Sequence, residues 1–182
     1  MEPGVAASIA GVIRDPWNRL LAWLVDWACI LGWAAVTAAI GVPLYLAGAT
    51  RGIDAVTVNV VSALVLVVPV TLALAWLESS RWQASVGKRL RRLRVTDARS
   101  GTRVSFRRAL LRNAVKLSLP WTIGHAAVIE IVGVGPAAQV PVGVWVLTAV
   151  AYLLPIWYVV SLFVGSGRPP YDRLARTRVD LV

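Results

Sequence analysis

The sequence is poor in the residues from which most enzyme and metal sites are built. It holds one cysteine, one histidine and one methionine in 182 residues, and 9 acidic residues against 19 basic ones. The lone Cys29 excludes an intramolecular disulfide and a thiolate metal cluster, and its apolar surroundings suit a small core residue. His125 and the scattered acids offer no nucleophile–base–orienting spacing and no metal-ligand constellation. Gly87-Lys88 stands alone, without the glycine-rich loop that cradles a phosphate. These absences argue against an enzyme and against a bound metal or cofactor.

Charge is also scarce. Only 15% of residues are charged and 58% are hydrophobic, with a mean hydropathy of +0.69. A soluble domain carries about 25% charge, so lipid is the expected solvent for most of this chain. A helix needs about 20 apolar residues to cross about 30 Å of hydrocarbon. Residues 20–46 contain one charge, Asp26, and residues 55–77 and 141–164 contain none. Residues 117–134 are a weaker span, with Pro120, His125 and Glu130. The first run is too long for the apolar region of a cleavable signal. Proline at position 69 is expected to kink the second span, which membrane helices tolerate when neighbours satisfy the freed carbonyl.

What the chain does have is a block of positive charge: twelve of the 19 basic residues fall between Arg81 and Lys116. If the weak segment crosses, 18 basic residues lie on one side and only Arg51 on the other, as the positive-inside bias requires. The reading is therefore an all-α integral membrane protein of the cell membrane, multi-pass, with four transmembrane helices in two hairpins. Both termini are cytoplasmic, as are a basic loop over 78–116 and a tail over 165–182. Trp17, Trp76, Trp82 and Trp121 then form an aromatic belt at the inner interface. The charge of +10 beside such spans points to anionic headgroups rather than nucleic acid.

Within the loop, Ser85 to Lys88 can open a short helix or turn. Residues 93–96 alternate, 97–101 form a turn and 102–105 can return, which suggests a small β-hairpin. Ser105 is a plausible N-cap for an amphipathic helix through Phe106, Leu110, Ala114 and Leu117, lying along the inner surface. Arg89, Arg91, Arg92, Arg108 and Lys116 are expected to face lipid headgroups. No internal repeat is evident.

Asp26 is the sharpest signal. A carboxylate inside a span costs at least about 2.5 kcal/mol on insertion scales and should have a partner. Arg19 lies two turns away, about 10 Å, so Lys88 and Arg112 are the expected partners. Two readings stand open: a carboxylate titrating a proton or cation at the inner mouth of a bundle, or an ion pair tying the first span to the loop. The second is favoured. Asp172, among tail arginines, either pairs with Arg173, Arg176 or a loop arginine, or completes a carboxylate site with Asp26. His125 reads as a hydrogen-bonded interior residue and Glu130 as the outer end of its helix.

The segment from Arg19 through Leu-Leu-Ala-Trp-Leu-Val to Asp26 resembles the opening of the RDD family, small membrane proteins named for one arginine and two aspartates. The stretches 85–90 and 93–97 are similar to that family's Gly-Lys segment and the hairpin after it, 107–113 to its Arg-bearing helix, and 171–177 to its closing motif. The resemblance implies that Arg19, Asp26 and Asp172 are the name-giving residues. Tyr171 stands where the family often has His, and Arg176 where Gly is common. Some members are linked to sodium–proton antiport.

The function expected is a structural or accessory membrane protein that engages anionic lipid or an acidic partner through its basic cytoplasmic face. It would act alone, as a homo-oligomer or with a membrane protein partner. The alternative is a small monovalent cation/proton antiporter using Asp26 and working as an oligomer.

Overall fold

Asp15 and Pro16 start the first helix. The Asp15 carboxylate accepts from the Asn18 N–H at 2.9 Å, and Pro16 sits where a missing N–H costs nothing. In this computed structural model, which describes residues 15–134 and 139–182, α1 runs over Pro16–Leu46. Arg14, counted above among the 18 basic residues of one side, lies outside the described residues. At 1.5 Å per residue α1 is about 46 Å long, well beyond the hydrocarbon thickness. Ala22 and Asp26 are its buried residues. Cys29, expected in the core, is exposed on the same helix.

Asp54 caps α2 (Ala55–Ser79) through the backbone N–H and hydroxyl of Thr57, at 3.0 and 2.6 Å. Inside α2 a widened π turn, Ala63–Val67, comes just before Pro69. Proline has no N–H and crowds the turn before it; the wider turn absorbs both effects. The same device recurs in α4 (Phe106–Gly133), where the π turn Ala114–Ser118 precedes Pro120. With α5 (Val142–Phe163), four helices among the described residues are long and apolar enough to cross a membrane.

The third span differs from the sequence reading. It begins at Phe106 rather than 117, because the stretch expected to lie flat on the surface is continuous with the span and buries Ala109, Arg112 and Asn113. That stretch packs along the last turns of α2, and α4 then runs against α5. By contrast α1 leans chiefly on a five-residue helix, α3 (Val86–Leu90), and touches α5 only lightly.

The β-hairpin also takes another form. Strand β1 (Leu93–Asp97) pairs with β2 (Thr177–Leu181) from the tail, antiparallel, in the register Leu93↔Leu181, Val95↔Val179 and Asp97↔Thr177. The turn at 97–101 is present, but the returning segment makes only a single bridge, Thr96↔Arg103. Tail residues win because Val179 covers the close-packed core of Ala75, Val95, Val104 and Ala109. That core sits at the basic end, and apolar side chains along the spans are exposed. The fold is therefore helical with one small sheet.

β2 is fed by α6 (Pro170–Leu174), as β1 is fed by α3, and these pairs of elements are related by a constant offset of 84 residues. Arg89, Leu90, Arg92, Arg94 and Val95 recur as Arg173, Leu174, Arg176, Arg178 and Val179. Arg92 and Arg176 both adopt left-handed backbone, at φ 54° and 52°. The flanking bonds match as well: Val182 donates to the Arg92 carbonyl at 2.8 Å, and Ala98 to that of Arg176 at 3.0 Å. A pseudo-twofold axis passes through the Val95–Val179 pair. Applied to the spans, the offset carries α1 onto 100–130, overlapping α4, and α2 onto 139–163, overlapping α5. The short helix–strand unit is therefore repeated, a correspondence that the sequence reading does not find.

The amides of Val95 and Asp97 donate to Gln83 and Thr102 carbonyls, so the alternation of an antiparallel ladder leaves those of Arg94 and Thr96 for β2. A chain stopped after Arg176 should therefore speed hydrogen exchange at Arg94 and Thr96 by about tenfold, the loss of one strand bond, and leave Val95 and Asp97 protected. Uniform protection across β1 in the truncated chain would refute this pairing.

Candidate functional site

Glycine at position 87 brings α3 against α1. A Cβ there would lie 2.0 Å from the Ala22 carbonyl oxygen and 3.0 Å from an Asp26 oxygen. This close approach lets the Gly87 N–H donate to Asp26 Oδ1 at 2.8 Å, while the Ser85 hydroxyl donates to Oδ2 at 2.6 Å. Asp26 is thus satisfied on both oxygens, and the Lys88 ammonium stands 3.9 Å away.

Lys88 turns most of its charge elsewhere. Its Nζ donates to Glu78 Oε1 at 2.7 Å. Glu78 also accepts from Arg112 Nη1 on both oxygens at 2.7 Å and from Asn113 Nδ2 at 2.8 Å. Arg112 Nε reaches Asp172 Oδ1 at 2.7 Å, and Arg19 Nη2 reaches Asp172 Oδ2 at 2.7 Å. Thr177 adds a hydroxyl to Asp172 at 2.9 Å. The result is a closed circuit: Asp26, Lys88, Glu78, Arg112, Asp172, Arg19. It leaves α1, passes through α3, α2, α4 and α6, and returns to α1. Three acids balance three bases.

All six groups are shielded; even Arg19, the most open, is 13% exposed at its side chain. Burial alone would raise the Asp172 carboxyl, but Arg112 and Arg19 outweigh it and hold the group below the usual carboxylate range. Burial, reinforced by Asp172, pushes the neighbouring Tyr171 phenol above its ordinary range. Tyr171 places its ring 5.3 Å from the Arg112 guanidinium and edge-on to Tyr158. An aromatic face at this position supports the arginine without titrating near neutrality.

Of the two expected partners of Asp26, Lys88 is nearby and Arg112 is not its partner, because Glu78 and Asp172 take the guanidinium. Asp172 draws Arg112 and Arg19 rather than Arg173 or Arg176. Among the five residues expected to face headgroups, Arg89 and Arg92 are exposed, with Arg89 stacked over Trp82. Arg91 is half-buried and donates to Asn18. Arg108 is engaged by Asp97 and by the carbonyls of Ala175 and Arg176. The Ser100 and Arg99 N–H groups, then Arg108, hold the Asp97 carboxyl below its usual range. Lys116 points into a cavity between helices. His125 meets Asn59 at 2.9 Å and stacks on Trp121, and Glu130 is exposed near the end of α4.

Sequence reasoning misses Glu78, the hub, along with Ser85, Asn113 and Thr177. A loop drawn over 78–116 takes Glu78 as its first residue. Its placement in the last turn of an otherwise uncharged helix is the available signal. Among the described residues no cluster of ligands for a metal ion is present.

A family model described as the RDD family matches residues 13–176, most of the chain, and the chain belongs to that family. No curated protein and no solved structure matches it. With four apolar helices, this identifies a multi-pass membrane protein.

The Gly87→Ala variant should push α3 off α1 and cost about 3–6 kcal/mol, the worth of two hydrogen bonds to a buried charge; a thermal unfolding midpoint equal to the parent's would rule out the close approach. A carboxyl depressed in the fold contributes stability above its unfolded pKa, about 3.9 for Asp, and loses it as pH falls through the folded value. Stability should therefore hold from neutrality to about pH 4 and decline below. In Asp172→Asn that acid decline should shrink while stability at neutral pH drops by about 3–5 kcal/mol, both read by denaturant titration across pH.

Proposed function

We propose that this member of the RDD family is an accessory protein of the cell membrane whose basic end faces the cytoplasm and engages anionic lipid headgroups or an acidic partner. In this reading α1 with α2 and α4 with α5 form two transmembrane hairpins, and both termini are cytoplasmic. The supporting observation is a surplus of uncommitted charge. Arg81, Arg89, Arg92, Arg94, Arg103 and Arg107 are exposed at the basic end, and no carboxylate among the described residues pairs with them. Each such residue close to an anionic leaflet contributes about 1 kcal/mol, lessened by salt. The buried circuit supports the same reading from inside, since it fixes the platform that carries these arginines.

The second reading, exchange of a monovalent cation for protons through Asp26 in an oligomer, has one observation in its favour: Asp26 lines the cavity between the spans. Against it, Ser85 and the Gly87 N–H occupy both carboxylate oxygens, and a cation would have to displace them. The accessory reading needs no such displacement.

In nanodiscs of mixed phosphatidylglycerol and phosphatidylcholine, the parent should enrich phosphatidylglycerol in its lipid shell in a salt-sensitive way. The triple reversal Arg89→Glu, Arg92→Glu and Arg94→Glu should cut that enrichment at least about tenfold, from three contacts of this strength. Unchanged enrichment removes the lipid reading. Sodium-driven proton flux in proteoliposomes, abolished in Asp26→Asn with the fold retained, would establish the transport reading in its place.

A further inference from the structure

The pseudo-twofold relation of the two helix–strand units does not extend to the packing of the spans. On one side α4 packs tightly against α2, with Ala75 and Ala109 fully buried between the elements. The matching space, between α1 and α5, is open. It holds a cavity of about 650 Å3 walled by α1, α4 and α5, within the roughly 300–1,000 Å3 usual for ligand sites. The walls run along α4 from Lys116 to Ile131, about 22 Å, longer than the about 15 Å acyl layer of one leaflet. They are mostly apolar and aromatic, with Trp23, Trp27 and Trp121 among them.

Polar groups gather at the basic end of this cavity. Of the charged residues lining it, Arg19, Asp26, Lys88 and Arg112 are all committed to the circuit. Lys116 is the exception. Its ammonium has no carboxylate or hydrogen-bond partner among the described residues, although the side chain is half-buried. It lies one turn beyond Arg112, at the inner edge of the polar cap, where a lysine stem lies along apolar surface and its head reaches the headgroup level. Arg19, Lys88 and Arg112 are answered by Asp26 and, behind the wall, by Glu78 and Asp172, so Lys116 is the one charged residue of the lining that stands outside the balanced circuit. The Trp121 indole N–H on the α4 wall is also buried without a partner.

We infer that this cavity holds one phospholipid with an anionic headgroup, its phosphate paired with Lys116 and one acyl chain lying between α1, α4 and α5. An apolar volume of this size that opens among membrane helices is filled by hydrocarbon rather than water, since water needs two to four polar partners per molecule. The lone uncompensated cation at one end selects the charge of the head. The lipid then fills the space between α1 and α5, where α2 and α4 meet each other directly. This site is separate from the surface arginines and does not depend on their reading.

The experiment is native mass spectrometry of the full chain, delipidated and then titrated with phosphatidylglycerol or phosphatidylcholine. The parent should retain one lipid per chain at high salt and prefer phosphatidylglycerol about fivefold, the increment of one cationic contact. Lys116→Gln should lose the preference and Lys116→Arg should keep it. Val159→Trp, which fills the cavity from α5, should abolish retention of either lipid. The surface triple reversal should leave the single tight lipid in place, which separates this site from the headgroup-binding face. Retained preference in Lys116→Gln, no tight lipid in the parent, or a dimer that Val159→Trp dissociates would each overturn the assignment, the last giving the cavity to a second copy of the chain. Circular dichroism on every variant excludes loss of fold as the cause.

Discussion

The structure depends on charge balance within a low-dielectric enclosure. Breaking a buried pair by removing one member costs about 3–5 kcal/mol, because the remaining charge is left unpaired. Here the six members are linked in series, and both ends of the series are on α1. The first helix, which has few other buried contacts, is held at two points seven residues apart, by α3 at Asp26 and by α6 at Arg19, with α2 and α4 completing the series between them. Interactions that would be weak on a surface become decisive where water is absent.

The circuit also bears on the two repeated helix–strand units. Lys88 and Asp172 occupy equivalent positions in the two repeats, one cation and one anion. Two identical units would place like charges at matching sites around the axis and repel. Opposite signs turn the same geometry into a chain of attraction, with Glu78 and Arg112 as the links. The spans do not share the relation: α4 closes on α2 but α1 stands apart from α5.

Much of the architecture is legible in hydropathy alone. Three uncharged or singly charged runs and one weaker run correspond to the four long helices, and Asp26 stands out because a carboxylate is costly in a span. The misreadings share a physical origin. The alternation in 93–96 is a genuine strand signal, but period two does not name the partner, and long-range pairing leaves no local trace. The amphipathic pattern in 106–116 reads as an interfacial helix only if its charged face meets water. Instead, Arg112 faces Glu78 and Asp172. The repeat is visible as Arg-Leu-x-Arg-x-Arg-Val at 89–95 and 173–179, yet a comparison of the apolar spans, where many residues are interchangeable in lipid, conceals it. Glu78 is lost because the second span is drawn to residue 77, two residues short of the helix end at Ser79.

The contact between Arg19 and Asp172 joins residues 153 positions apart. A ribosome adding about 5–20 residues per second exposes the arginine roughly 8–30 s before its aspartate exists. Throughout that interval the first helix must be threaded into the bilayer with half of its anchorage unmade. The fastening of Arg19 is therefore a late event in biogenesis, since it waits for residue 172 to emerge.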